Sequence, residues 1–123
     1  MTRSVLVTGA GGYVGSLLVE SLAAEPGELE AVVAADLRLP DEQLGGVHYT
    51  AFDIRDAVLA DILEEHSIDT VVHLAAVVSA GRKPDRDIEH SIDVGGTRNV
   101  LECALQAGVS RVIISSSGAA YGY

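Results

Sequence analysis

The chain has 123 residues, 48% hydrophobic but only 4% aromatic, with eight Lys and Arg against 18 Asp and Glu and a formal net charge of −10. That length suffices for one domain with a real core. The acidic balance excludes a nucleic-acid partner, whose binding depends on cations that neutralise phosphates, and no stretch approaches the ~18 apolar residues of a membrane helix.

The first strand is expected over Val5 to Thr8, within the apolar run Ser4-Val5-Leu6-Val7-Thr8, and the first helix over Tyr13 to Ala24, where apolar residues recur at helical spacing. Gly9, Gly12 and Gly15 lie at this junction. Glycines there let backbone N–H groups and a helix N-terminus hold a pyrophosphate. Gly9 and Gly12 are one residue further apart than the first two glycines of the dinucleotide fingerprint, so the turn is wider. Pro26-Gly27 breaks the chain, Glu30 to Ala35 reads as the second strand, and Asp36 closes it. Asp36 stands about 20 residues after Gly15, where a carboxylate accepts hydrogen bonds from adenosine ribose hydroxyls. The alternative is a solvated turn acid before Leu37-Arg38-Leu39-Pro40. A carboxylate repels a 2′-phosphate, so NAD is expected rather than NADP, although the Arg38 guanidinium could instead meet that phosphate.

Gly45-Gly46 marks a turn before a short third strand, Val47 to Phe52. Asp56 or a neighbour caps a helix through Val58, Leu59, Ile62 and Leu63, apolar on one face. Asp69 to Leu74 is the fourth strand. A polar loop with Gly81 and Pro84 follows, where Arg82, Lys83 and Arg86 form a solvated cluster. A long helix from about Ile88 to Ala107 is stopped by Gly108, and Val112 to Ser115 is the fifth strand. Apolar strands separated by helices require an α/β, doubly wound parallel sheet of Rossmann type with right-handed crossovers. The expected strand order is 3-2-1-4-5, with the ligand crevice at the carboxyl ends of strands one and four. Such a fold in complete form has about six strands, so the chain reads as truncated after strand five. One cysteine, Cys103, precludes an internal disulfide and fits a reducing cytoplasm, and no signal peptide is evident. His48, His66 and His90 show no ligand-like spacing, so no metal site is expected.

Six stretches in order resemble the extended short-chain dehydrogenases/reductases, the NAD-dependent epimerase/dehydratase family. They are Val7-Thr8-Gly9-Ala10-Gly11-Gly12-Tyr13-Val14-Gly15, Asp36, Asp53-Ile54-Arg55-Asp56, His73-Leu74-Ala75-Ala76, Asp93-Val94-Gly95-Gly96-Thr97, and Ser115 through Gly122. The resemblance implies that Gly9, Gly12, Tyr13, Val14 and Gly15 cradle the pyrophosphate of NAD. It gives Asp36 the ribose, with Leu37 and Arg38 beside it, and gives Asp53 and Ile54 the adenine, whose exocyclic amine donates to the carboxylate. Leu74, Ala75 and Ala76 fall on the nicotinamide side, Ser115 is a further cofactor-binding residue, and Ser117 matches the catalytic serine that hydrogen-bonds the reacting substrate oxygen. Blander roles stand beside these: Asp53 as a helix cap, Ala75 and Ala76 as packing, Ser117 as one hydroxyl in a serine-rich turn. His73 is expected to be a satisfied core imidazole.

Two departures from the family pattern stand out. Asp93 occupies a position where the family usually carries Asn. The family's Tyr-x-x-x-Lys acid/base pair is absent, since Lys83 is the only lysine and Ser79 precedes it by four. In the family that pair follows the serine by some tens of residues, beyond Tyr123, as does most of the substrate domain. Residues 1–123 are therefore expected to form the NAD(P)-binding part alone, inactive by itself and either cut from a longer parent or paired through strand five in a homo-oligomer. Three functions remain open: an epimerase/dehydratase acting on a nucleotide sugar or related small molecule, a simple alcohol dehydrogenase or ketone reductase, and a non-catalytic dinucleotide sensor.

Overall fold

Alternating strands and helices over residues 3–74 and 95–115, the part described by the computed structural model, build one parallel sheet. In chain order they are β1 (Ser4–Thr8), α1 (Tyr13–Ala24), β2 (Ala31–Asp36), β3 (Val47–Ala51), α2 (Val58–Glu65), β4 (Thr70–His73), α3 (Gly96–Ala107) and β5 (Arg111–Ile114). The sheet order is β3-β2-β1-β4-β5 with every neighbouring pair parallel, as the alternating pattern requires.

Strand residues alternate between two helix layers. Leu6, Val33 and Val71 share one face with Leu59 and Leu63 of α2 and Val100, Cys103 and Ala104 of α3. Val5, Val7, Val32 and Ala34 share the other with Val19 of α1, flanked by Leu18 and Leu22. Both faces of the central strands are covered, which is why β1 and β2 read as continuous apolar runs rather than alternating ones. Burying each such Leu or Val contributes roughly 1.5–3 kcal/mol relative to exposure.

The element ends follow local chemistry. Asp36 belongs to β2 itself because it stays in register with Ala51 of β3. β5 begins at Arg111, opposite Thr70, and ends at Ile114. Asp56 serves the start of α2, its Oδ1 accepting from the Val58 N–H at 3.0 Å. α3 stops where Gly108 turns left-handed (φ 76°) and the Val109 N–H reaches back to the Ala104 carbonyl at 2.9 Å, a conformation glycine adopts without a Cβ penalty. The expected helix from Ile88 is seen from Gly96 onward, its earlier part lying outside the described residues.

At the amino-terminal edge Asp69 fastens three strands. Its carboxylate accepts from the Arg3 N–H (2.8 Å), the Ser4 N–H (3.0 Å) and the Thr70 hydroxyl (2.8 Å), and its carbonyl from the Ser110 and Arg111 N–H groups. Burial pushes the Asp69 carboxyl up, but these donors outweigh it and hold the group below the ordinary carboxylate value.

Candidate functional site

A parallel sheet brings the carboxyl ends of all its strands to one edge, and the loops that gather there carry the expected site residues. β1 leads into Gly9, whose φ of 68° lets the chain turn sharply. The Ala10 N–H then bonds the Ala35 carbonyl at 3.1 Å, and the Gly12 N–H bonds the Gly9 carbonyl at 3.0 Å. α1 follows at once with no side chain capping it. The first-turn amides of Tyr13, Val14 and Gly15 therefore lack a side-chain acceptor, and an anionic group can supply one. Gly15 is buried, and a Cβ there would overlap the Gly9 carbonyl, so the helix packs directly on the turn. A Cβ on Gly12 would stand 3.3 Å from the same oxygen, tight but not impossible, and the Tyr13 and Val14 side chains are exposed.

Asp36 faces this turn from the neighbouring strand. Its Oδ2 accepts from the Gly11 N–H at 2.7 Å and its Oδ1 from the Leu37 N–H at 2.6 Å. A carboxylate has about four acceptor positions, so each oxygen retains capacity for a ligand hydroxyl. Gly11 had not been singled out from the sequence. A side chain there would place Cβ 2.9 Å from Asp36 Oδ2 and 3.1 Å from the Arg38 carbonyl. The signal was the Gly11-Gly12 doublet, because one glycine suffices for the turn and the second allows the carboxylate to close on it. Leu37 and Arg38 are exposed beside the carboxylate.

The loop after β3 is tied to the same edge by the Phe52 N–H, 3.2 Å from the Asp36 carbonyl. The Asp53 carboxylate is gripped by Arg55: Nε to Oδ1 at 2.9 Å, Nη2 to Oδ2 at 2.6 Å, and the Arg55 N–H to Oδ1 at 2.9 Å. That hydrogen bonding holds the Asp53 carboxyl below its usual range and pushes the guanidinium up. Asp53 thus makes an Asp-x-Arg turn while Asp56 serves the helix, and Ile54 is buried. Arg55 was also missed as a partner, although its spacing of two from Asp53 permits such a turn. Asn99 of α3 was missed altogether; its amide donates to the Ile54 carbonyl at 2.6 Å and the Asp56 carbonyl at 2.8 Å.

On the β4 side, His73 is buried with Nδ1 2.8 Å from the Thr8 hydroxyl and Nε2 3.0 Å from the Thr97 hydroxyl. The Leu74 N–H donates to Thr8 Oγ1 at 3.0 Å, which fixes the chain leaving β4 against β1. His73 is therefore a satisfied core imidazole joining β1, β4 and α3. Ser115 is exposed, its N–H donating to the His73 carbonyl at 3.3 Å. Ala75, Ala76, Asp93 and Ser117 lie outside the described residues. Among the described residues no three His, Cys, Asp or Glu side chains are grouped so as to hold a metal ion, and no helix is long and apolar enough to cross a membrane. Cys103 is buried, and burial pushes its thiol up, away from reactivity.

The glycine cradle, the uncapped helix start and two carboxylates at successive strand ends suit a dinucleotide: amides for its phosphates, carboxylates for its hydroxyls and amine. The family model described as the NAD dependent epimerase/dehydratase family matches residues 5–123. A UDP-glucose 4-epimerase of Halalkalibacterium halodurans is 38% identical over 122 residues, covering 97% of this chain and 36% of that protein. A UDP-glucose-4-epimerase structure from Stenotrophomonas maltophila, with bound NAD and formylated UDP-arabinopyranose, is 29% identical with a TM-score of 0.81, covering 99% of this chain and 39% of that one. The L-threonine dehydrogenase of Clostridium difficile is 27% identical with a TM-score of 0.82, covering 94% of this chain and 37% of that one. The chain thus spans little more than a third of the length of these relatives.

Proposed function

The chain belongs to the NAD-dependent epimerase/dehydratase family, and from that premise we propose that residues 1–123 are the NAD-binding Rossmann domain of an oxidoreductase acting on a sugar nucleotide or related hydroxyl compound. One observation carries the reading: the Asp36 carboxylate, at the end of β2, is pinned 2.7 Å from the Gly11 amide of the glycine turn and keeps acceptor capacity toward the crevice. Asp36 takes the adenosine ribose and disfavours a 2′-phosphate, so NAD is the cofactor rather than NADP. Gly9, Gly12, Tyr13, Val14 and Gly15 hold the pyrophosphate through backbone groups, with Leu37 and Arg38 flanking the ribose. Asp53 and Ile54 meet the adenine, and Leu74, Ala75, Ala76 and Ser115 line the nicotinamide side.

Held by these residues, NAD would supply a hydride acceptor and donor for a substrate carbon. Ser117 orients the reacting oxygen by a hydrogen bond. No tyrosine within residues 1–123 has a lysine four positions later, so proton exchange at that oxygen needs a Tyr/Lys pair from outside this stretch, together with the substrate domain. The lone, buried Cys103 fits a reducing cytoplasm. A simple dehydrogenase is the second reading, favoured by the L-threonine dehydrogenase likeness.

Calorimetric titration with NAD and NADP, followed by incubation of the complete protein with nucleotide sugars and simple alcohols, tests this. NAD binding with epimerised sugar and no accumulated NADH supports the first reading. Net NADH formation from an alcohol supports the second, NAD binding without turnover points to a sensor, and failure to bind either dinucleotide contradicts all three.

A further inference from the structure

Asn99 belongs to α3, yet its side chain serves the loop after β3. Both hydrogens of its amide are committed, to the Ile54 carbonyl at 2.6 Å and the Asp56 carbonyl at 2.8 Å. Its Oδ1 accepts from the Cys103 thiol at 3.4 Å, one turn further along, which fixes the amide orientation. One helical turn earlier the same helix presents Gly96, so close to Ile54 that a Cβ would overlap the isoleucine side chain. The two carbonyls held by Asn99 bracket Arg55, and Arg55 grips the Asp53 carboxylate through its backbone N–H and its guanidinium. A chain of contacts therefore runs from the helix to the carboxylate: hydrogen bonds from Asn99 to the backbone on either side of Arg55, then hydrogen bonds from Arg55 to Asp53. Asp53 itself is half-buried in a short loop that the Phe52 N–H ties to the Asp36 carbonyl at the end of β2. Without Asn99 the Ile54 carbonyl loses its side-chain donor and the Asp56 carbonyl keeps only the Leu59 N–H at 3.3 Å, so the loop is free to relax toward water.

We propose that Asn99 is a positioning residue for base selectivity: by clamping residues 54 to 56 onto α3, it sets where the Asp53 carboxylate stands and thereby lets the site distinguish a base that carries an exocyclic amine from one that does not. The inference rests on the reading that Asp53 faces the adenine. A role confined to holding the fold together would weaken every dinucleotide alike; a positioning role changes the preference between two dinucleotides that differ only at the base.

The probe is the affinity ratio for NAD over nicotinamide hypoxanthine dinucleotide, in which a carbonyl oxygen replaces the amine, measured by calorimetry on the complete protein. The unaltered protein should prefer NAD by about tenfold or more, as expected for a hydrogen bond to a charged acceptor. Asp53→Asn, which offers an amide donor to the hypoxanthine oxygen, should lower or invert that ratio. Asn99→Leu, near in volume but without donors, should bring the ratio to within about threefold of unity. Asn99→Ser, too short to reach both carbonyls, supplies the same reading should the leucine variant not fold. If Asp53→Asn moves the ratio while both Asn99 variants keep the original preference and lose affinity for the two dinucleotides equally, Asn99 is merely structural and the inference is overturned alone. If Asp53→Asn also leaves the ratio unmoved, the reading of Asp53 falls and the inference falls with it.

Discussion

On the β2 and β3 side of the crevice, half-buried carboxylates hold backbone amides and a guanidinium, Asp36 on Gly11 and Leu37, Asp53 on Arg55. On the β4 side, a buried imidazole is bonded at both ring nitrogens by Thr8 and Thr97, and Thr8 also holds the Leu74 amide. On the function proposed above, the difference separates binding from scaffolding. Asp36 has one protein donor on each oxygen, and Asp53 has two on Oδ1 and one on Oδ2, so each carboxylate can still accept from a ligand, and its charge makes that bond strong. An imidazole with both nitrogens satisfied inside the core has nothing left to offer, and its value lies in joining two strands and a helix. Substitutions on the first side should move affinity, and substitutions on the second should move stability.

The largest effect is expected from His73→Ala. It leaves the Thr8 and Thr97 hydroxyls without their buried partner and opens a cavity between β4 and α3, costing on the order of 3 kcal/mol by combining unmet hydrogen bonding with cavity formation. Denaturant unfolding measures this directly. A loss below ~1 kcal/mol would erase the distinction between the two sides.

Gly12→Val should do the reverse. Its Cβ position lies 3.3 Å from the Gly9 carbonyl, a contact that a few tenths of an ångström relieves, so stability should change by no more than about 1 kcal/mol. Dinucleotide affinity should fall at least about tenfold, because side-chain atoms then occupy the backbone approach to the pyrophosphate. A variant that binds NAD normally would remove the turn from the site.

Much of this architecture was legible in the sequence because its causes are local. Val5-Leu6-Val7 and Val32-Val33-Ala34 announce buried strands by uninterrupted apolar residues, and Gly108 announces a helix end by the conformation it must adopt. Asp36 was legible through its distance from the glycine turn. Gly11 was half legible: the doublet was visible, but its reason is a carboxylate 25 residues away. Asn99 was not legible, since the carbonyls it holds are 45 and 43 residues distant and backbone carbonyls carry no side-chain signature. The ends of the strands shifted by a residue for the same cause: register with a neighbour, such as Asp36 beside Ala51, decides where a strand stops.

The smallest stability effect concerns Asp69, far from the crevice. Its carboxyl is held below the ordinary 3.8 in the folded chain, so the stability it contributes is fully present above that value and is lost as pH falls through the folded pKa. Asp69→Asn should cost no more than about 1 kcal/mol near neutral pH, given its partial exposure. It should also flatten the acid limb of the melting temperature below pH ~4. An unchanged acid limb would mean that other carboxylates govern acid unfolding. NAD affinity should not change in this variant.

The most direct test of the account is calorimetric titration of NAD and NADP into the protein and its Asp36→Ala variant. Loss of a charge-assisted bond to the ribose should weaken NAD by about 1–3 kcal/mol and narrow its preference over NADP, with the melting temperature little changed. Unchanged affinity for both dinucleotides would contradict the assignment of Asp36 to the ribose and, with it, the reading of this edge of the sheet as the cofactor site.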